Sequence, residues 1–148
     1  MVEHSNLPMI GWREWLSLPD LKISEIKAKI DTGARSSALH AFDVEVFERQ
    51  AQKFVRFKVN PHQHNSADVV AAEAELLEMR SVRDSGGHEQ LRPVIKTAVV
   101  LGQHRWPIEL TLTNRDVMGF RMLLGRQAVR QRFLIDSGQS YLQGLAPK

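Results

Sequence analysis

Residues 27–41 read KAKIDTGARSSALHA. The first four continue an alternation that puts Ile26, Ala28 and Ile30 on one face and Lys27 and Lys29 on the other. That is the pattern of a strand with one buried side. The strand runs out at Asp31, followed by Thr32, Gly33 and Ala34. Asp, Thr and Gly all favour turns, so the triplet alone more often marks a turn than a site. A catalytic carboxylate needs the same residues for another reason. It wants a rigid strand behind it, a small hydroxyl to brace the loop, and a glycine that lets backbone come close.

The chain offers two further candidates of this form. Asp84-Ser85-Gly86 follows the polar RSVR and precedes Gly87, as at the tip of a flexible turn. Asp136-Ser137-Gly138 follows FLI, a plausible strand, and stays a candidate on local grounds. Asp31 has the best context of the three.

Composition narrows the classes. The 148 residues suit one domain, residues 1–148, with a real core. There is no cysteine, which excludes a disulfide scaffold, thiolate chemistry and a Cys-based zinc site. The first residues have no basic region ahead of an apolar one, and no apolar run reaches membrane-spanning length. A cytoplasmic protein with no membrane partner is expected. The net charge of +3 suits an acidic partner. No Lys/Arg cluster with interleaved aromatics argues for direct nucleic-acid contact.

Short apolar runs dominate the rest. MIGWREWLSL (9–18) and KISEIKAKI (22–30) read as strands. FDVEVF and KFVRFKV alternate around ERQAQ, a hairpin, and NPHQHNSAD (60–68) reads as a loop. VIKTAVVL and WPIELTLT flank GQHR as a second hairpin. Helix is favoured in two places, GRQAVRQRF (125–133) and ADVVAAEAELLEM (67–79). The pattern predicts a small all-β domain with one late helix.

Downstream of Asp31 lies FRMLLGRQAV (120–129), an apolar run ending in Gly125, then Arg126 and the expected helix. The Asp-Thr-Gly-Ala loop and the later Leu-Leu-Gly-Arg-helix together resemble one retropepsin half of the aspartic proteases. The resemblance implies a retropepsin-like barrel half with one short C-terminal helix. Asp31 would be catalytic, and Thr32, Gly33, Ala34, Leu124 and Gly125 would structure its loop. It also implies a glycine-tipped flap at Ser85, Gly86 and Gly87, with arms near 76–83 and 89–97. That makes the end of the helix-favouring stretch 67–79 a strand. Residues 43–75 exceed the minimal pattern and read as an inserted hairpin plus loop.

The match is closer to a bacterial family known as ATP-dependent zinc proteases, which it resembles in KIDTGARSSALHA, RPVIKTAVVLG, IELTLTNRDVMGFRMLLGR and FLID. Members include proteins encoded beside a ligase that adds glutamates to a ribosomal protein's C-terminus. The residues argue against that family name. No Gly-x-x-x-x-Gly-Lys-Ser/Thr loop exists for nucleotide phosphates, and HEQLR (88–92) has Arg92 where His-Glu-x-x-His needs its second ligand. His62 and His64 share one face of an extended segment without an obvious third ligand and read as loop residues. No cofactor and no metal are expected.

One chain carries one half-site, since nothing after Asp136 repeats the Leu123-Leu124-Gly125 segment. The resemblance therefore implies a homodimer with two copies of Asp31 on its axis. Retroviral enzymes have an aspartate after the alanine of this loop, paired with the arginine that corresponds to Arg126. Here that position is Arg35. Arg35 and Arg126 would face one neighbourhood, where either an acidic side chain from elsewhere satisfies them or they act as substrate-binding residues that favour acidic peptides or glutamylated tails, unless Arg35 turns to solvent. The expected function is an aspartic endopeptidase acting on a peptide or protein substrate. The alternative is a non-proteolytic peptide-binding module that regulates the glutamate ligase.

Overall fold

Alternation in KISEIKAKID builds the strand that carries the candidate aspartate. In the computed structural model, which describes residues 6–62, 68–83, 86–114 and 119–144, this is β3 (Ile23–Asp31). Ile26, Ala28 and Ile30 are buried, and Lys27 and Lys29 are half-exposed on the other face. Before it come β1 (Met9–Ile10) and β2 (Arg13–Leu18). The single strand expected over 9–18 is broken at Gly11 and Trp12, where a Cβ on Gly11 would lie 2.2 Å from the Gln139 carbonyl oxygen. The chain continues through β4 (Ser37–His40), β5 (Phe42–Arg49), β6 (Gln52–Val59), β7 (Val70–Glu75), β8 (Glu78–Arg83), β9 (Glu89–Leu101), β10 (His104–Thr113) and β11 (Met122–Gly125). The helix α1 (Arg126–Val129) and β12 (Leu134–Ile135) follow.

Among the described residues, seven strands form one sheet in the order β10-β4-β11-β3-β2-β9-β8, and β10 also pairs with β9. That extra pairing closes six strands into a barrel and leaves β8 as an edge strand in a hairpin with β9. The barrel interior is filled by Leu16, Ile26, Leu39, Ile95, Leu110, Leu124 and their neighbours, all buried. The protein is nearly all-β, as expected, with the architecture of a retropepsin-like half-barrel.

Two further local expectations are corrected. Residues 70–75, helical by propensity, are strand β7, because Val70, Ala72 and Ala74 alternate onto the core side and pair with Val59, Phe57 and Val55 of β6. Tertiary pairing overrides alanine-rich propensity here. The inserted stretch contains the expected hairpin, β5-β6, and β7 adds a third strand to it. Its tight turn uses Gln50 and Ala51 with φ of 51° and 65°, the left-handed pair that a two-residue hairpin requires. The helix at 125–133 stops after Val129. Gln131 turns left-handed (φ 62°), and Phe133 enters the core, 5.3 Å from the Trp106 ring.

Candidate active site

Asp31 ends β3 and is half-exposed, while Thr32, Gly33 and Arg35 are exposed. Its Oδ1 accepts the Gly33 N–H at 2.9 Å. A Cβ on Gly33 would lie 3.1 Å from that oxygen, so glycine leaves the carboxylate room. Beside the loop runs β11, with Leu124 opposite Ile30 and Gly125 opposite Asp31 in parallel register. Residues 125–127 then clamp the loop. Gly125 N–H donates to Ser37 Oγ (3.0 Å), Arg126 N–H to the Ala34 carbonyl (2.7 Å) and Gln127 N–H to the Arg35 carbonyl (3.1 Å). The Arg126 guanidinium donates to the Thr32 carbonyl at 3.0 Å. Arg126 thus contacts the loop itself, whereas Arg35 lines a neighbouring cavity.

Asp136 makes the same local turn, its Oδ1 accepting Gly138 N–H at 3.0 Å. A strand running into glycine lies beside it too: β1 pairs in parallel with β12, Gly11 packs against the Gln139 carbonyl, and Trp12 N–H donates to that carbonyl at 2.8 Å. Asp31 has in addition the Arg126 guanidinium on the Thr32 carbonyl and, through Arg35, a loop that borders a cavity lined by β8. Neither the three-residue motif nor the neighbouring strand distinguishes the two; the surroundings of the loop do.

The hairpin expected as a flap is formed by β8 and β9. Gly86 and Gly87 stand at its tip, Gly87 with φ 83°; Ser85 lies outside the described residues, as does His64. Register puts Arg80 opposite Arg92 and Val82 opposite Gln90 on one face, with Met79, Ser81 and Leu91 on the other. Both faces of the β8 arm contribute to a cavity beside the Asp31 loop, Arg80 and Val82 from one and Ser81 and Arg83 from the other. This cavity, of about 540 Å³, is also lined by Arg35, Glu109 and Gln127. Glu109 holds Arg80 at 2.8 Å, and Glu78 also pairs with it. These two carboxylates push the Arg80 pKa further up, Glu109 most. Sequence reasoning missed Arg80, Arg83 and Glu109. The available signal was the alternation of EMRSVR, which sets Arg80 and Val82 on one face of a flap arm.

His62, read from the sequence as a loop residue, bridges two acids. Nε2 lies 2.7 Å from Glu25 and Nδ1 2.6 Å from Asp68.

The family model for RimB-like proteins, described as "Retropepsin-like aspartic endopeptidase RimB", matches residues 9–145. The chain belongs to the RimB-like family. Among solved structures, the RimB-like fold is similar to a crystal structure of a protein of unknown function from Legionella pneumophila. The TM-score is 0.74 at 27% identity, covering 92% of this chain and 98% of that one. The chain is also similar to proteins named "Probable alpha-L-glutamate ligase". One from Parasynechococcus marenigrum is 46% identical over 136 residues, 92% of this chain and 29% of that protein. One from Shewanella halifaxensis is 40% identical over 136 residues, 92% of this chain and 30% of that protein. The RimB-like chain thus spans less than a third of the length of the curated relatives it matches. No helix among the described residues is long and apolar enough to cross a membrane.

Proposed function

We propose that this chain is an aspartic endopeptidase whose active unit is a homodimer, with the Asp31 carboxylates of two copies meeting across a two-fold axis. The observation that carries the reading is the clamped loop: a half-exposed Asp31 at a strand end, held by Gly33 N–H and set beside Gly125. One carboxylate on one chain is half of the required machinery. In aspartic proteases two carboxylates share one proton, because like charges about 3 Å apart cannot both ionise. The ionised member takes a proton from water as the oxygen attacks the scissile carbonyl carbon. The protonated member gives its proton to the carbonyl oxygen. Collapse of the tetrahedral intermediate breaks the C–N bond as the amine nitrogen is protonated.

Substrate choice follows from charge. Arg35, Arg80 and Arg83 line the cavity beside the loop, with Glu109 the one carboxylate among its described lining residues. Arg80 is paired with Glu109 and Glu78 and Arg83 with Glu89, which leaves Arg35 open to a substrate carboxylate. A flap arm at a sheet edge can take an extended peptide by strand addition. An acidic peptide, such as an oligoglutamate tail, fits Arg35.

The relatives favour a second reading. They carry this stretch within longer chains with ligase names, so the same cleft would bind an acidic tail and regulate a ligase without cutting it.

The experiment that separates them is cleavage of an oligoglutamate-tailed peptide, followed by mass spectrometry, for wild type and Asp31→Asn. The peptidase reading expects cleavage by wild type alone, with both proteins folded and EDTA without effect. Binding without cleavage by wild type supports the regulatory module. Activity that survives Asp31→Asn and dies on chelation would sink the aspartic mechanism.

A further inference from the structure

Beyond the Arg35 cavity lies a second, of about 370 Å³, whose lining includes Trp106, Ala128, Arg130 and Arg132. The two cavities share Ser36, Arg80, Glu109 and Gln127. They are adjoining compartments of one trough, and the Arg80–Glu109 pair stands at the partition. The floor of the outer compartment is rigid: Trp106 is 5% exposed, and its Nε1–H donates to the Ala128 carbonyl at 3.0 Å. Arg132 lies over this ring, 5.5 Å from its centroid. Arg130 and Arg132 are exposed, and among the described residues no carboxylate pairs with either guanidinium. Arg35, Lys22, Lys53 and Lys96 share this state, whereas Arg49, Lys58 and Arg83 each have an acidic neighbour within 4 Å.

We propose that the outer compartment is an exosite for the far end of an acidic peptide, through which this protein reads the length of an acidic run. The proposal rests on the acidic-peptide reading of the Arg35 compartment. An extended peptide advances about 3.3 Å per residue, so carboxylates on one face recur every ~7 Å. A short run reaches the inner compartment alone, where Arg35 has no carboxylate partner among the described residues while Arg80 and Arg83 are paired with Glu109 and Glu89. A longer run crosses the partition and reaches Arg130 and Arg132. Glu109 already holds Arg80 the way a substrate carboxylate would, so a crossing peptide competes with it. An arginine fork suits this exchange, because it binds carboxylates in a defined plane.

The test is binding to the Asp31→Asn chain, which leaves peptide uncut. Labelled oligoglutamates of about two and about eight residues, spanning ~7 and ~26 Å, are titrated by fluorescence anisotropy at low and physiological salt. The longer peptide is expected to bind about tenfold more tightly at low salt, with the gap narrowing as salt rises. Arg130→Ala with Arg132→Ala should abolish that increment and leave the short peptide's affinity unchanged. Glu109→Gln should tighten the long peptide. Equal losses on both peptides, no gain with length, or the same gain for an oligoglutamine series would overturn the exosite; weaker long-peptide binding by Glu109→Gln would overturn the partition. A separate comparison of the short glutamate and short glutamine peptides tests the inner compartment. Preference there without length dependence would leave that reading standing and remove the exosite alone.

Discussion

Gly125 sits directly across from Asp31 between β11 and β3, and no side chain fits at the glycine. A Cβ there would lie 2.5 Å from the Ser36 carbonyl oxygen and 3.0 Å from that of Ala34. Both obstacles are backbone of the Asp31 loop, so the loop itself would have to move. Gly125→Ala should cost roughly 1–3 kcal/mol of stability through overpacking. At this size that lowers Tm by about 2–4 °C per kcal/mol. Peptide cleavage should fall much further than folding, since it depends on loop position. Thermal melts with cleavage assays on the same preparation check this, and full activity in a destabilised variant would refute it.

Asp136 supplies the internal control. Its turn copies that of Asp31, with carboxylate-to-amide distances of 3.0 and 2.9 Å. Asp136→Asn should keep cleavage within about twofold, because an amide oxygen still accepts the Gly138 N–H, whereas Asp31→Asn should abolish it. Loss of activity in both variants, with folding intact, would bring Asp136 into the mechanism.

Glu14 is fully buried and accepts three backbone N–H groups, from Gly11 at 2.7 Å, Leu142 at 2.8 Å and Gln143 at 3.0 Å. It ties residues 142–143 to the β1–β2 junction. Glu14→Ala strands these donors, each costing about 1–3 kcal/mol if left dry. A total loss of about 3–5 kcal/mol is expected in urea denaturation. A loss under 1 kcal/mol would mean that water replaces the carboxylate.

His62 links β3 to the end of the 60–68 segment and makes stability pH-dependent. Both ring nitrogens face carboxylates, and both can donate only when the imidazole is protonated. The Glu25 hydrogen bond is the main cause of a pKa raised above 6.5; partial burial opposes it, and the Asp68 bond adds to it. A raised folded-state pKa makes the contribution complete below the unfolded value of about 6.5 and removes it as pH climbs through the folded value. His62→Ala should therefore cost about 1 kcal/mol near pH 6, discounted for exposure, and little in alkaline solution. Chemical denaturation of both proteins across that range measures it. A pH-independent difference would show that no charged bridge forms.

Arg35 tests the charge reading of the cleft. Arg35→Ala should cost about tenfold in kcat/KM on an acidic peptide and little on a neutral one, with the gap shrinking at high salt. Equal losses on both peptides would make Arg35 a structural part of the loop.

The sequence by itself determined the strand into Asp31, the glycine after it, the Leu124-Gly125 segment and the hairpins. Each is a local pattern: period-two alternation, a turn residue, or a glycine at a fixed offset. It could not rank Asp31 over Asp136 by local form, because the two turns are alike and each has a strand running into glycine in parallel beside it; only the cavity that the Asp31 loop shares with β8 through Arg35 separates their surroundings. It favoured helix over residues 70–75, where pairing with β6 and burial of alternate alanines outweigh propensity. The basic trough was also hidden. Arg35, Arg80, Arg83, Arg130 and Arg132 are scattered over nearly a hundred positions, and only barrel closure brings a loop, a flap arm and the end of α1 to one edge. Local energetics can be read along a chain, but charges from distant segments converge only when the core they surround has formed.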